Sequence, residues 1–132
     1  MSKPKIKSMK LYKNADRIFN ELKELGKDKL KKLKVKDLTK FDQLHYNGTK
    51  AVDFAIKKIG INSKKRILEI GSGIGGPSRY ISYKTKSLVT ALEIQKDQNK
   101  IAKILTKKCG LTKYVKHEEG DILVYNSARK KY

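Results

Sequence analysis

Residues 66 to 76 hold the pattern in this chain that is most specific for chemistry. An apolar run, Arg66–Ile70, carries the acid Glu69 and is followed by four glycines within positions 71–76. Such glycines let a strand turn sharply and let the backbone approach a ligand before a helix begins. A second acid, Glu93, ends the next apolar run at about the 20-residue spacing of a ribose-binding carboxylate. The pattern predicts a nucleotide-type cofactor site.

Two classes of cofactor fit these glycines. Gly71, Gly73 and Gly76 match the dinucleotide fingerprint. With Gly75 in place of Gly76, the glycines match the tighter pattern of S-adenosylmethionine binding. Glu69 favours the second class, because a carboxylate beside the turn repels a pyrophosphate but attracts a sulfonium and an ammonium, while the loop amides take the cofactor's carboxylate. The alternative is that Glu69 is a buried structural acid paired with a lysine.

Alternating apolar segments indicate an α/β fold with a parallel sheet and right-handed crossovers. Apolar faces with helical spacing and glycine stops predict helices, whereas short apolar runs predict strands. The predicted helices cover residues 15–25, 49–59, 77–84 and 97–109, and the predicted strands cover residues 66–70, 88–94 and 113–118.

The composition divides the chain into three parts. Residues 1–14 are polar and rich in lysine, and we expect a disordered basic tail. Residues 15–60 are expected to form an N-terminal helical cap, with residues 27–40 as a lysine-dense connector. Residues 61–132 contain the predicted strands and the glycine turn, and we expect them to form a Rossmann-like half-domain that binds S-adenosylmethionine.

The net charge of +20 arises from 33 Lys and Arg against 13 Asp and Glu. These basic residues are spread along the chain and most are lysine, which favours a solvated surface over a nucleic-acid interface, although a nucleic-acid partner stays open. Neither a membrane span nor a secretory signal is visible, so we expect a cytoplasmic protein without membrane contact. The single cysteine, Cys109, excludes an internal disulfide, and the two distant histidines give no metal-ligand spacing.

Four segments carry a resemblance to one enzyme family: Phe41–Ala51, Leu68–Tyr80, Val89–Ile94 and Glu119–Asp121. Together they resemble the class I S-adenosylmethionine-dependent methyltransferases, above all the small-molecule group of sarcosine/dimethylglycine and phosphoethanolamine N-methyltransferases. The glycine segment is specific to the superfamily. The Asp-Gln-x-His-Tyr-x-Gly element narrows the group without fixing a substrate. The resemblance implies S-adenosyl-L-methionine as the cofactor and methyl transfer to a small molecule, most simply an amine.

The resemblance also implies that the glycine loop wraps the methionine part of the cofactor. The loop residues are Gly71, Ser72, Gly73 and Gly75, and Glu69 lies beside the cofactor's charged end. The alternative is a simple strand-to-helix turn, for which one glycine would suffice.

The other cofactor contacts implied by the resemblance follow the second and third strands. Glu93 is assigned to the two ribose hydroxyls, since an ionised carboxylate accepts two hydrogen bonds at once. Ile94 is assigned to the adenine face. Asp121 is assigned to the adenine amino group, and the backbone of Ile122 to the edge of the ring. The alternatives are a surface acid at a strand end for Glu93 and an ordinary turn acid for Asp121.

His45 and Tyr46 are the candidate catalytic residues. In the related enzymes this segment folds over the cofactor and lines the acceptor pocket. His45 could act as a general base near neutral pH, and the Tyr46 hydroxyl could contact the donor's carboxylate or orient an amine. The alternative is that both only pack the N-terminal helix onto the sheet. His117 lies on a predicted strand and is assigned a structural role.

The family's sheet continues beyond the matched segments, so we expect the Rossmann-like half-domain to be incomplete at the C-terminus, with a bare edge on its first strand. A fragment, a truncated reading frame or one half of a split enzyme, with a partner chain completing the sheet, would each explain this. The alternatives in function are an RNA- or protein-directed methyltransferase, a non-catalytic cofactor-binding module that needs a partner chain and, most distantly, a nicotinamide-dependent reductase.

Overall fold

The computed structural model describes residues 16–126, and the predicted tail at residues 1–14 lies outside that range. Helices and strands within the described range alternate as the sequence predicts, with one additional short helix. They are α1 (Arg17–Glu24), α2 (Val35–Leu38), α3 (Gly48–Ile59), β1 (Arg66–Ile70), α4 (Gly76–Thr85), β2 (Leu88–Glu93), α5 (Lys96–Lys108) and β3 (Val115–Glu119).

The three strands form one parallel sheet in the order β1-β2-β3. Leu68 of β1 is in register with Thr90 of β2, and Ala91 of β2 is in register with His117 of β3. Helix α4 connects β1 to β2 and helix α5 connects β2 to β3, which is the crossover that parallel neighbours require. The predicted α/β fold with a Rossmann-like parallel sheet is confirmed.

Strand β2 lies at the centre of the sheet and contributes Val89 and Ala91 to the main core. A second apolar cluster joins Ile18 and Leu22 of α1 to Leu105 of α5. Helix α1 therefore packs against α5, and the helical spacing of its apolar residues is what allows it.

The predicted connector at residues 27–40 contains the additional helix, α2. The Asp37 carboxylate accepts a hydrogen bond from the backbone N–H of Lys34 at 2.9 Å and pairs with the ammonium of Lys27. The hydrogen bond from Lys27 holds the pKa of Asp37 below its usual value. Val35 and Leu38 are buried. This helix was not predicted from the sequence, because the segment is dense in lysine and because the burial of its apolar residues comes from tertiary packing.

Strand β1 is an outer strand of the described sheet. Within residues 16–126 it pairs only with β2, and the side chain of Ile70 is 57% exposed. An outer strand with apolar residues is free to pair with a further strand. The predicted bare edge is therefore present in the part of the chain that is described.

Three further features bear on the class of function. No helix within residues 16–126 has both the length and the apolarity of a membrane span. Over the same residues, no group of three His, Cys, Asp or Glu side chains is arranged to hold a metal ion. Burial raises the pKa of the free thiol of Cys109 to about 11, so this thiol is protonated at neutral pH.

Candidate functional site

The turn after β1 is built from glycines in the left-handed backbone region. Gly71 has a φ of 71° and Gly73 a φ of 55°, which side chains other than glycine rarely adopt. The N–H groups of Gly71 and Ser72 both donate to the carbonyl of Leu92, at 2.8 and 3.1 Å, and Gly75 N–H donates to the carbonyl of Ser72. These amides are used inside the protein, so they do not provide the predicted free donors for a cofactor carboxylate.

Glu93 ties the end of β2 to the glycine turn. Its Oε2 accepts a hydrogen bond from Gly73 N–H at 2.7 Å, and its Oε1 accepts one from Gln95 N–H at 2.9 Å. The side chain is 6% exposed. An ionised carboxylate offers about four lone-pair sites, so two remain after these contacts. The arrangement excludes the alternative of a surface acid and leaves acceptor capacity for hydroxyl groups of a ligand.

A cavity of about 280 Å³ opens beside this turn. It is near the lower end of small-molecule sites, roughly 300–1,000 Å³, so it suits one part of a large cofactor. Although the chain has a net charge of +20, none of the described lining residues is Lys or Arg. The lining consists of Asp42, Leu44, His45, Glu69, Gly71, Ser72, Gly73, Ile74, Pro77 and Gln98.

Glu69 supplies a carboxyl group to the cavity. Its Oε2 accepts a hydrogen bond from the hydroxyl of Ser78, so its partner is a serine instead of the lysine that the structural alternative required. Burial raises the pKa of Glu69 to about 7 from an ordinary value of 4.5, against the opposing effects of Ser78 and Arg79. A cation placed in the cavity would favour the ionised form and lower this pKa.

Two buried polar side chains, Ser72 and Gln98, also line the cavity. The Oγ atom of Ser72 is buried and has no hydrogen-bond partner among the described residues. Gln98, which sequence interpretation missed, donates through Nε2 to Oε1 of Gln95 at 2.8 Å. Its own Oε1 lies 3.0 Å from where a Cβ on Gly73 would stand. The Ser72 hydroxyl is the clearest group left over for a ligand, because a buried polar atom without a partner is costly.

The next two glycines are required by packing on the protein side of the turn. A Cβ on Gly75 would stand 2.6 Å from Cε1 of His117 and 2.9 Å from Nη1 of Arg79. A Cβ on Gly76 would stand 1.9 Å from the carbonyl oxygen of Asp42. Gly75 is not among the residues that line the cavity, so its predicted contact with the cofactor stays a prediction.

Arg79 is a buried residue that packs against the glycine turn. The sequence interpretation missed it as part of the site. The side chain is fully buried, and its Nη2 lies 3.1 Å from Oδ2 of Asp42, which is also buried. Its Nη1 donates to the carbonyl of Ala102 at 3.3 Å and to Oγ1 of Thr106 at 3.2 Å. The sequence signal that could have identified Arg79 is an arginine next to the glycine turn in a chain whose basic residues are mostly lysine. A planar guanidinium can donate to several acceptors at once, which a lysine does not do in the same way.

His117 belongs to the same buried network. The hydroxyl of Thr106 accepts from Arg79 and lies 2.7 Å from Nε2 of His117, to which it can therefore donate. Burial, with the charge of Arg79 nearby, lowers the pKa of His117 to about 4. The ring is neutral at physiological pH, as expected of the structural residue that the sequence indicated.

The candidate catalytic residues are both exposed, so the alternative that they pack a helix onto the sheet is wrong. Tyr46 is 91% exposed and is not among the residues lining the cavity. His45 does line it, with Nδ1 at 3.1 Å from the carbonyl of Tyr46 and Nε2 at 3.0 Å from Oε1 of Gln43. Both partners are acceptors, so each contact needs a ring proton. To act as a base, His45 must give up one of these contacts.

The predicted adenine contacts lie outside the cavity lining. Ile94 is half-buried and directly follows Glu93, whereas Ile122 is 41% exposed. Asp121 accepts the N–H of Leu123 on its Oδ1 at 2.9 Å, which is the geometry of an ordinary turn acid. The assignments of Ile94, Asp121 and Ile122 to the adenine remain predictions.

Comparison with known proteins gives relatives for part of the chain. No family model matches it. The sterol 24-C-methyltransferase ERG6B of Gibberella zeae is 38% identical over 65 residues, which are 49% of this chain and 17% of that protein. The 24-methylenesterol C-methyltransferase 3 of Arabidopsis thaliana is 37% identical over 59 residues, 45% of this chain and 16% of the plant protein. The chain thus spans less than a fifth of these relatives' length.

The fold itself matches solved methyltransferases. An RNA methyltransferase from Salinibacter ruber, in complex with S-adenosyl-L-homocysteine, superposes with a TM-score of 0.59 at 19% identity, over 63% of this chain and 54% of that one. The chain has the fold of the class I S-adenosylmethionine-dependent methyltransferases. The curated methyltransferases named above are sterol C-methyltransferases. The resemblance to the amine N-methyltransferase group therefore stays a prediction.

Proposed function

We propose that this chain binds S-adenosyl-L-methionine at the turn after β1 and serves methyl transfer to a small-molecule acceptor. The observation that carries this proposal is the charge of the cavity. It has a carboxyl group, Glu69, and no described Lys or Arg in its lining, despite the 33 basic residues of the chain. An anionic pyrophosphate would find no described Lys or Arg in the lining, whereas a phosphate-free ligand with a sulfonium and an ammonium is attracted by Glu69.

The cofactor supplies an activated methyl group when bound, and the chain's residues supply position and exclusion of water. Glu69 attracts the charged end of the ligand, and the Ser72 hydroxyl provides a polar contact. The lone pairs that Glu93 keeps free accept the two ribose hydroxyls. Ile94, Asp121 and Ile122 lie further along the same edge of the sheet, where they would receive the adenine.

The acceptor is the second part of the proposal. The Asp-Gln-x-His-Tyr-x-Gly element around His45 and Tyr46 supports an amine, which must lose a proton before it attacks. Transfer to a carbon atom of a sterol-like acceptor is the second candidate, because two of the curated relatives are sterol C-methyltransferases. An RNA acceptor is supported by the basic charge and by the Salinibacter neighbour. A non-catalytic module that pairs with a partner chain through β1 is supported by that strand's open edge.

Calorimetric titration with S-adenosylmethionine, S-adenosylhomocysteine and NADH tests the cofactor. We expect heat from the first two ligands and none from NADH. Glu93→Gln should weaken binding by roughly tenfold to a hundredfold, since a hydrogen bond to a charged group contributes about 1.5–3 kcal/mol.

Glu119→Gln is the matched control for this titration. Glu119 is exposed and ends β3 in register with Glu93, so its loss should leave binding unchanged. Binding of NADH without binding of either sulfur ligand would exclude the proposal. Methyl transfer from labelled cofactor to amine, sterol and RNA acceptors, measured in parallel on the full chain, then distinguishes the candidate substrates.

A further inference from the structure

A chain of side-chain contacts runs from the buried Arg79 to the wall of the cavity. Arg79 Nη2 donates to Oδ2 of Asp42 at 3.1 Å, and Gln43 Nε2 donates to Oδ1 of the same carboxylate at 3.2 Å. The amide oxygen of Gln43 in turn accepts from Nε2 of His45 at 3.0 Å. Both oxygens of one carboxylate are thus used, one toward the core and one toward the site.

The direction of each contact follows from the first one. Arg79 is a permanent donor, so Asp42 is held as an acceptor. Asp42 accepts from the NH₂ group of Gln43 and thereby fixes which end of this amide faces the ring. The end that remains is an oxygen, which requires a proton on Nε2 of His45. The buried cation therefore sets the orientation of an exposed imidazole three residues beyond its partner, Asp42.

The backbone around Asp42 is held in the same place. Its N–H donates to the carbonyl of Leu38 at 2.9 Å, and its carbonyl oxygen packs against Gly76 at the start of α4. Buried ion pairs add little net stability, but they can select one arrangement over others. The segment that this ion pair holds in one arrangement is part of the cavity wall, because Asp42, Leu44 and His45 all line the cavity.

We propose that Asp42 is a positioning residue, which is held by Arg79 and which orients His45 through Gln43 at the wall of the cavity. The relevance of this role to a ligand rests on the proposed function, because that function makes the cavity the cofactor site. The positioning of the ring itself does not depend on any ligand.

The experiment uses ¹⁵N-labelled full-length chain and long-range ¹H–¹⁵N spectra of the imidazoles. The chain has only two histidines, and the His117→Gln variant assigns the second signal. In the native protein we expect Nε2 of His45 to be protonated over the pH range in which the ring is neutral. Gln43→Leu and Asp42→Asn should both shift the Nε2 and Nδ1 signals toward the Nδ1-protonated tautomer, because the contact of Nδ1 with the carbonyl of Tyr46 remains. Hydrogen exchange of the amides at residues 43–47 should become about tenfold faster while β2 stays protected.

Two features keep this test decisive. Asp42→Asn leaves a buried guanidinium without its counter-ion and can fail to fold, whereas Gln43→Leu removes only a half-buried amide. Asp53→Asn is the matched control, because the exposed Asp53 carboxylate also bridges two helices, through Tyr80 at 2.9 Å. It should change neither the His45 signals nor the exchange. Unchanged His45 signals in both Gln43→Leu and folded Asp42→Asn would overturn the proposal, and Gln43→Leu decides alone if the other variant does not fold.

The ligand arm separates the two proposals. We expect S-adenosylhomocysteine to dissociate about tenfold faster from Gln43→Leu than from the native chain, because the wall of the site is less ordered. If the native chain binds this ligand, and if the native chain and Gln43→Leu release it at the same rate, the positioning role of Asp42 in the ligand site is refuted. If the native chain does not bind it at all, the proposed function fails, and the imidazole spectra alone decide the positioning of His45.

Discussion

Replacing Glu69 by glutamine should change how the stability of this protein depends on pH. The carboxyl group is half-buried between the end of β1 and α4, and burial raises its pKa to about 7 from an ordinary value of 4.5. Glutamine keeps an oxygen for the hydroxyl of Ser78 but carries no titrating proton. The substitution therefore removes the titration while it preserves the contact.

The sign of the effect follows from where the proton is held. Between pH 4.5 and 7 the folded state keeps the proton on Glu69 while the unfolded chain loses it, so the free energy of unfolding falls as the pH rises. A pKa of about 7 against 4.5 corresponds to about 3 kcal/mol, at about 1.36 kcal/mol per unit. Below pH 4.5 the burial of this carboxyl group costs no stability, and above pH 7 the whole of the about 3 kcal/mol is lost. The free energy of unfolding of Glu69→Gln, taken relative to that of the native protein, should therefore rise by about 3 kcal/mol between pH 4.5 and pH 8.

Urea unfolding of both proteins at several pH values between 4.5 and 8 measures this difference. Contributions from other groups cancel, because they are common to the two proteins. Asp53→Asn, which removes an exposed carboxylate instead of one that lines the cavity, is the control. A constant difference for Glu69→Gln would mean that the carboxyl titrates as it does in the unfolded chain, and the account of the cavity's electrostatics would be refuted.

Two further substitutions test the packing behind the turn. Gly76→Ala should destabilise the protein by about 3 kcal/mol or more in urea unfolding, because its Cβ would stand 1.9 Å from the carbonyl oxygen of Asp42. Gly110→Ala, where no atom lies within 4 Å of the Cβ but φ is +67°, should cost only about 1–2 kcal/mol of left-handed strain, and equal costs would contradict the steric explanation. His117→Gln should flatten the acid limb of the stability profile. The native ring has a pKa of about 4 against 6.5 unfolded, so the native protein loses about 3 kcal/mol as the pH falls between these values. An unchanged slope between pH 4 and 6.5 would mean that His117 is not the group responsible.

Local rules were sufficient to predict the sheet and the glycine turn, but they assigned Glu93 to a ribose and did not predict its hydrogen bond to the turn. Apolar runs of strand length separated by amphipathic segments have few arrangements other than a parallel sheet with helical crossovers. In such a sheet β1 and β2 end at the same edge, which is why an acid 20 residues beyond Gly73 reaches its N–H. The helix in the lysine-dense connector was not predicted, because the burial of its two apolar residues, Val35 and Leu38, depends on tertiary packing.

The amino-acid sequence by itself determined the parallel α/β sheet, the glycine turn at Gly71 and Gly73 and the presence of an acid at its mouth, since these depend on residue type and on short spacing. Only the tertiary structure decided why Gly75 and Gly76 must be glycines and which residues surround the cavity. The ion pair of Arg79 with Asp42 joins residues 37 positions apart, and no periodicity connects them. A lining without lysine among residues 16–126 of so basic a chain is likewise a property of packing, because burial selects which few side chains lose contact with water.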